Sequence, residues 1–385
     1  MDAKAAGKGM SLLEIRDQLD VIDRQLTSLY QERMEYCAEV ANIKIKSGKQ
    51  VLDAKREQEK LAAVESFVES DFDKKAVREL FSQIMTISRR LQFGIMTENG
   101  LSFDIGFQKT SCIPVEGKKV VYQGVPGAYA HIAALRSFPE GTELFHVKTW
   151  KDALDEVAEG KADYAVLPIE NSSHGAVTDN FDLLLRYPTL AIVQEIDLPV
   201  QHALLSVEGA DIKGLREVYS HPQAIGQCQH FFETHPYITP VSVLNTAVAA
   251  ELVSERQDKT IAALSSEEAG RLYHLSVLEH AVNQEKTNTT RFLILGREKI
   301  YTDEATKTSI CFETQHKPGA LYNVLGNFIF NDVNMIMLQS RPIPEKPFEY
   351  RFFCDIEGNL ATPKIINALN GMHTEVTEFR ILGCY

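Results

Sequence analysis

"KTNTTRFLILG", residues 286–296, closes on four apolar residues, Phe292-Leu293-Ile294-Leu295. An apolar run this short reads as a buried strand. Thr289, Thr290 and Arg291 lead straight into it, where a turn ordinarily places Gly, Pro, Asn or Asp. Outward from this strand, similar runs alternate with helical patterns from Lys118 to about Gly296. They are Lys119–Tyr122, Tyr164–Pro168, Leu190–Val193, Glu217–Tyr219 and Ile261–Ala263. Such alternation predicts an α/β unit.

Four further stretches stand out in that unit: "YQGVPGAYAHIAA" (122–134), "DYAVLPIENSSHGAV" (163–177), "SHPQAIGQC" (220–228) and "NTAVAAELV" (245–253). With the opening stretch they make five, and four of the five set polar residues at a strand end. That is where open α/β sheets bind ligands. Each also reads as a plain turn or helix cap; Asn245 and Thr246, for instance, are good caps. There is no HExxH, GxSxG or P-loop lysine, and His131, His174, His202 and His221 are not at metal-ligand spacing, so no metal and no cofactor are expected.

Residues 11–94 carry a different pattern. Leu12, Ile15, Leu19, Ile22, Leu26 and Leu29 recur at helical spacings, and no proline precedes Pro114. The spacing predicts helices over about 11–47, 53–69 and 73–93, with a break at Ser47-Gly48. Three helices make a small core, so self-association is expected. Arg33 and Lys44, 11 residues apart, return to nearly one face about 16 Å apart along the axis, and can bracket a small ligand. Arg16 lies about 25 Å before Arg33 and about 100° round, so it reaches the same ligand only from a partner chain. Asp53, Arg56 and Glu57 share a face of the second helix, and Ser88 and Gln92 share one of the third. Singly, each is a solvated or ion-paired surface residue.

Residues 95–117, with Gly100, Gly106, Pro114 and Gly117, read as a linker. Residues 307–385 read strand, helix, strand, strand, helix, strand: Ser309–Thr314, Ala320–Phe330, Met335–Gln339, Tyr350–Ile356, Pro363–Leu369 and Glu375–Leu382. That is the ferredoxin-like order. "KPGALYNVL" opens its first helix, and "QSRP" (339–342) ends its second strand.

The 385 residues exceed one ordinary core. Net charge is −13, all of it after residue 94, since residues 1–94 hold 16 basic and 16 acidic side chains and the rest 24 against 37. An acidic chain is a poor nucleic-acid binder. No apolar run is long enough to span a membrane, and the polar start "MDAKAAGKGM" lacks a signal peptide's apolar stretch, so a cytoplasmic protein is expected. Six scattered cysteines with no Cys-x-x-Cys pair disfavour a zinc site or a disulfide framework.

The helical segment resembles the all-helical class of chorismate mutase. The resemblance implies an intertwined dimer in which Arg16, Arg33, Lys44, Asp53, Arg56, Glu57, Ser88 and Gln92 bind chorismate, with Arg16 contributed across the interface. Arg16, Arg33 and Arg56 suit carboxylates, Lys44 and Gln92 the ether oxygen, and Glu57 and Asp53 the ring hydroxyl. Lys44, Gln92 and Glu57 are the candidate catalytic residues. The α/β segment resembles prephenate dehydratase over 118–297, through GxxGAY, PIENSxxG, SHPQA and TRF. This implies two lobes like a type II periplasmic binding protein, with substrate in the cleft. Thr290 matches the family's catalytic threonine, and Glu170, Asn171, Ser172, His221, Gln223 and Arg291 are the candidate shell. Ala130 stands where that family commonly has serine. The last segment resembles an ACT domain and implies a phenylalanine site at Gly319, Ala320, Leu321, Gln339, Ser340, Arg341 and Pro342. Gln339 replaces the usual glutamate, so feedback of altered strength is expected.

Together the resemblances imply a bifunctional enzyme of phenylalanine biosynthesis, a homodimer or homotetramer, that takes chorismate to prephenate and prephenate to phenylpyruvate. Two rivals stay open. One is a non-catalytic binding protein with a sensor. The other is a lone mutase with a decayed dehydratase cleft, motivated by Ala130.

Overall fold

The computed structural model describes residues 10–101, 104–285, 287–344 and 346–385; the expectations that touch residues 1–9, 102–103, 286 and 345 lie outside the described residues. The chain forms two compact units. One comprises the chain up to Ile105 with Phe312–Ile336 and Ile356–Phe379; the other comprises Gly106–Cys311 with Met337–Asp355 and Arg380–Tyr385.

In the first unit, α1 (Leu12–Ser47) starts at Ser11 through a capping box with Glu14 and ends at Gly48, whose φ of +66° suits glycine. The α2 helix (Ala54–Glu65) is capped by Asp53, and α3 (Asp71–Glu98) by Ser70. The expected second helix therefore stops four residues early. The third starts two residues early, at the Ser70 cap, and runs four residues into the expected linker, because an unbroken apolar face carries it on. Only Ala41 of α1 is buried. Leu12, Leu19, Leu26 and Leu29 are all more than half exposed, so the helical stripe read in the sequence lies open along α1. Helices Ala320–Phe330 and Pro363–His373 pack in the same unit, and there Arg90 Nε donates to Asn327 Oδ1 at 3.1 Å and Asn370 Nδ2 to Thr97 Oγ1 at 3.2 Å.

The second unit is built on two sheets. In the first, Thr289–Gly296 runs between two antiparallel neighbours, Ala191–Pro199 and Tyr164–Asn171; Lys119–Gln123 and Glu143–Val147 follow in parallel. Apolar clusters cover both of its faces, one around Leu154, Leu167 and Phe353, the other around Val120, Val166 and Ile294. The second sheet orders Ser276–Glu279, Ala203–Ser206, Ile261–Ser265, Glu217–Ser220 and Thr239–Ser242. The chain passes between the sheets twice, and the two passages bond to each other: Val200 N donates to Asn288 O at 2.8 Å, and Val282 N to His202 O at 2.7 Å.

Thr289, Thr290 and Arg291 are not a mouth before the strand but its first three residues, because both flanking strands extend far enough to pair them. Likewise Gln339–Pro342 lie inside a strand, Met335–Ile343, rather than at its end. The final segment keeps the expected element order, and its strands lie as second, third, first, fourth, the ferredoxin-like arrangement. Among the described residues no helix is long and apolar enough to cross a membrane.

Gly383 shows how tight this packing is. It pairs with Ile192, and a Cβ there would stand 2.2 Å from the Ile192 carbonyl oxygen. Backbone cannot yield as a flexible side-chain tip does, so Gly383→Ala should destabilise the protein by about 2 kcal/mol. Thermal unfolding followed by circular dichroism should show a midpoint lowered by several degrees; an unchanged midpoint would contradict the packing described.

Candidate active sites

Side chains alternate across a strand. On Thr289–Gly296, Thr290 and Phe292 line a cavity of about 450 Å³ between the two sheets, whereas Arg291 points to the opposite face. Asn171, opposite Thr290 in register, also lines the cavity. Its Oδ1 accepts from the backbone N–H of Ser173 at 3.0 Å and of His174 at 3.1 Å, which fixes the amide's orientation. Its Nδ2 must then face the other way, and it donates to Thr290 Oγ1 at 2.9 Å and to Asn288 Oδ1 at 2.8 Å. Thr290 is thus held through a lone pair, and its own O–H remains to donate into the cavity.

The far wall comes from the second lobe. His221 caps helix Pro222–Gln227, its Nδ1 accepting from Gln223 N at 3.2 Å, which leaves the neutral ring's proton on Nε2. Asn245 caps helix Thr246–Arg256 through a 2.8 Å bond from Val248 N, and both Asn245 and Thr246 line the cavity. Between the lobes sits His202, 2% exposed, with Nδ1 3.1 Å from the Tyr129 hydroxyl and Nε2 3.0 Å from Gln227 Oε1. Burial pushes its pKa down and the Gln227 bond partly opposes that. The described lining residues include no lysine or arginine.

Of the residues singled out in the sequence, Asn171, His221, Gln223 and Thr290 meet here. Glu170, Ser172 and Arg291 do not. Arg291 Nη1 donates to Asp355 at 2.7 Å and Nη2 to Glu170 at 3.0 Å, so these two are spent on each other on the reverse face of the sheet. Burial opposes the Arg291 charge, but Asp355, Tyr385 and Glu195 together hold the guanidinium above its ordinary pKa. Ser172 Oγ accepts from Thr289 N at 3.0 Å and staples the turn. The sequence reading missed Tyr129, His202 and Gln227; Tyr129 stood in the GAY motif, but His202 was tested only for metal spacing. Ala130 lines the cavity and leaves it no hydroxyl at that point.

The first unit gathers a second cluster. Arg33 Nη1 donates to Ser88 Oγ at 2.6 Å; Lys44 Nζ donates to Gln92 Oε1 at 3.1 Å and to Val51 O at 2.6 Å. Partial burial pushes the Lys44 pKa down, while Asp53 and Glu57 pull it back up. Asp53 is spent as the α2 cap, accepting from Arg56 N at 3.0 Å. Arg56 itself is exposed and pairs with Glu59 at 3.6 Å. Arg16 lies near the exposed start of α1, about 25 Å from Arg33 along a straight helix. Of the eight expected residues, Arg33, Lys44, Asp53, Glu57, Ser88 and Gln92 thus come together within one chain, and Arg16 and the exposed Arg56 do not.

In the final segment, Gly319 at φ +76° opens the helix that begins Ala320-Leu321. Gln339 Nε2 donates to Ser340 O at 2.9 Å, Pro342 is exposed, and Arg341 pairs bidentately with Asp182 at 2.5 and 3.1 Å. Among the described residues no group of three or more His, Cys, Asp or Glu is placed to hold a metal.

Comparison with known proteins accords with two separate sites. Residues 15–93 match the family model for chorismate mutase type II, and residues 120–300 the model for prephenate dehydratase. A bifunctional chorismate mutase/prephenate dehydratase of Enterobacter agglomerans is 33% identical, with 97% of this chain and 95% of that one covered. Among solved structures, a prephenate dehydratase of Arthrobacter aurescens in complex with L-Phe is 27% identical at a TM-score of 0.64, covering 69% of this chain and 89% of that one. A quorum-quenching acylase, GqqA, is 32% identical at a TM-score of 0.64, covering 70% and 97%.

The Asn171–Thr290 bond makes a sharp test possible. Asn171→Asp keeps the shape but turns the donor into a carboxylate oxygen, which would accept the Thr290 proton. Turnover in the cavity should fall about 100-fold, with the activity of the helical site unchanged. Prephenate consumption at the wild-type rate would show that the orientation of Thr290 is immaterial.

Proposed function

Because the chain belongs to the bifunctional chorismate mutase/prephenate dehydratase family, we propose a division of labour in which Thr290 is the proton donor of the dehydratase and the Arg33–Lys44–Gln92 cluster is the seat of the mutase. The observation that carries the dehydratase assignment is the donor–acceptor order at Asn171, which leaves the Thr290 O–H directed to the cavity. Prephenate loses its ring hydroxyl and its ring carboxylate together. The C–C bond to the carboxylate breaks and releases CO2, its electron pair enters the ring, and the C–O bond breaks as Thr290 gives its proton to the departing hydroxyl, forming water. Solvent returns the proton to Thr290. A threonine hydroxyl has no useful pKa near neutrality, so transfer and departure occur in concert. The Gln223 amide, His221 Nε2–H and the N-terminus of helix Thr246–Arg256 supply the donors that seat the carboxylates.

Chorismate needs no nucleophile. Its site must hold a flexible dianion in the reactive conformer and stabilise charge at the breaking ether bond. Arg33 meets a carboxylate, Lys44 and Gln92 the ether oxygen, and Glu57 with Asp53 the hydroxyl. Arg16 and the open stripe along α1 support a second copy laid against that helix, which would bring the partner's own Arg16 to this site. The ferredoxin-like order, GAL at 319–321 and QSRP at 339–342 support an ACT domain that binds phenylalanine, a ligand named in the Arthrobacter complex. Its effect would reach Thr290 through the Arg291–Asp355 pair next to it in the strand. Loss of the usual glutamate at Gln339 alters the strength of that feedback.

Thr290→Ala should abolish phenylpyruvate formation and leave chorismate turnover intact, while Arg33→Ala should do the reverse. Parallel loss of both activities in either variant would sink the division of labour. Mixed Arg16→Ala and Arg33→Ala chains should regain part of the mutase activity, since one of the two shared sites is then whole; no recovery on mixing would exclude donation across chains.

A further inference from the structure

Arg89 follows Ser88 on α3 and is not among the eight residues singled out for the mutase site. Its side chain is 10% exposed. Nη1 donates to both carboxylate oxygens of Glu57, at 2.5 and 2.6 Å. Nη2 donates to Thr86 Oγ1 at 3.0 Å and to Glu375 Oε1 at 2.5 Å. Glu57 comes from α2, beside Lys44. Glu375 comes from the ferredoxin-like segment, just before strand Val376–Cys384. Glu57 and Glu375 are themselves mostly covered, 26% and 15% exposed, so these ion pairs are poorly screened. Removing one member leaves a desolvated charge without its partner rather than a solvated surface residue.

The geometry has a directional content. A guanidinium is a planar fork, and one anchored edge fixes the other. Thr86 and Glu375 hold the Nη2 edge, and the Nη1 edge then fixes where the Glu57 carboxylate sits. Each Glu57 oxygen receives only one bond from Arg89, which leaves lone pairs for a ligand hydroxyl. We propose that Arg89 is a positioning residue of the mutase site and that Glu375 sets Arg89. The mutase site thereby takes part of its geometry from the ferredoxin-like segment, and the state of that segment reaches chorismate turnover by a second route, separate from the one at Thr290. This rests on the reading of Glu57 as the group that takes the ring hydroxyl.

The test is steady-state mutase kinetics on full-length R89M, R89K, E375Q and R89K/E375Q chains. E57A is run alongside, and prephenate turnover is measured on each preparation. R89M should lower mutase kcat about tenfold with KM changed less than about threefold, and leave prephenate turnover at the wild-type level. Lysine is a point charge that satisfies one carboxylate at a time, so R89K should regain most of the loss. E375Q should lower kcat about threefold in the wild-type background and have no effect in R89K. R89M with wild-type or higher kcat, or an E375Q effect equal in both backgrounds, overturns the proposal; the second criterion holds even if R89M fails to fold. An active E57A would overturn the underlying reading of Glu57, whereas an inactive E57A with an active R89M would overturn only the role of Arg89.

Discussion

The second unit depends on one buried guanidinium. Arg291 sits with its side chain 11% exposed between Glu170 and Asp355, with a third carboxylate, Glu195, at 3.6 Å. A charge so covered persists only with partners of opposite sign, and Asp355, itself 5% exposed, is the closest of them. Ser309 Oγ donates to the other Asp355 oxygen at 2.5 Å, so the acceptor is itself fixed. A one-residue slip of strand Thr289–Gly296 would turn Arg291 into the cavity and Thr290 into the charged cluster. The cost of an unpaired buried arginine therefore fixes the register, and the register aims Thr290.

The two sites solve opposite electrostatic problems. Under the proposed reading, chorismate and its product are both dianions, so cations that meet the carboxylates stabilise substrate and transition state together, and the catalytic value of the site lies in Lys44 and Gln92 at the ether. Prephenate loses a carboxylate as CO2. A cation clamped on that carboxylate would stabilise the ground state most and resist its departure. A cavity whose described lining residues are neutral amides, hydroxyls and imidazoles, without lysine or arginine, fits a reaction in which the anion must leave. Arg291, read in the sequence as part of the candidate shell, lies outside the cavity lining.

Much of this was legible beforehand. The α1 helix announced itself through its apolar period, and the place of Thr290 in the cavity wall through TRF. What the sequence could not carry was which face of a strand each residue takes. Glu170, Asn171, Thr290 and Arg291 are neighbours in two short motifs, yet pleating sends Asn171 and Thr290 one way and Glu170 and Arg291 the other. His202 was passed over because its partners, Tyr129 and Gln227, lie on segments brought together only by the crossing between sheets. Arg89 was invisible for a related reason: its second carboxylate is Glu375, far along the chain, and no local pattern on α3 marks such a partner.

Feedback in this chain, under the proposed reading, requires a rigid connection rather than a flexible one. A ligand shifts an equilibrium only by its differential affinity for two arrangements, and the difference must be transmitted without being absorbed. The tether from Gly296 to Lys307 follows the catalytic strand directly, yet a tether transmits little by itself. Ion pairs do better. Arg341, within QSRP, holds Asp182 on helix Thr178–Arg186, and the residues just before that helix, Gly175–Val177, line the cavity. Asp355 holds Arg291, and the residue before it is Thr290. Both links are short and charge-assisted, and the Asp355–Arg291 one is buried as well, so displacement at either strand of the last segment must move a cavity wall or break an ion pair. Breaking the Asp355–Arg291 link strands a desolvated charge, and moving the wall is there the cheaper response.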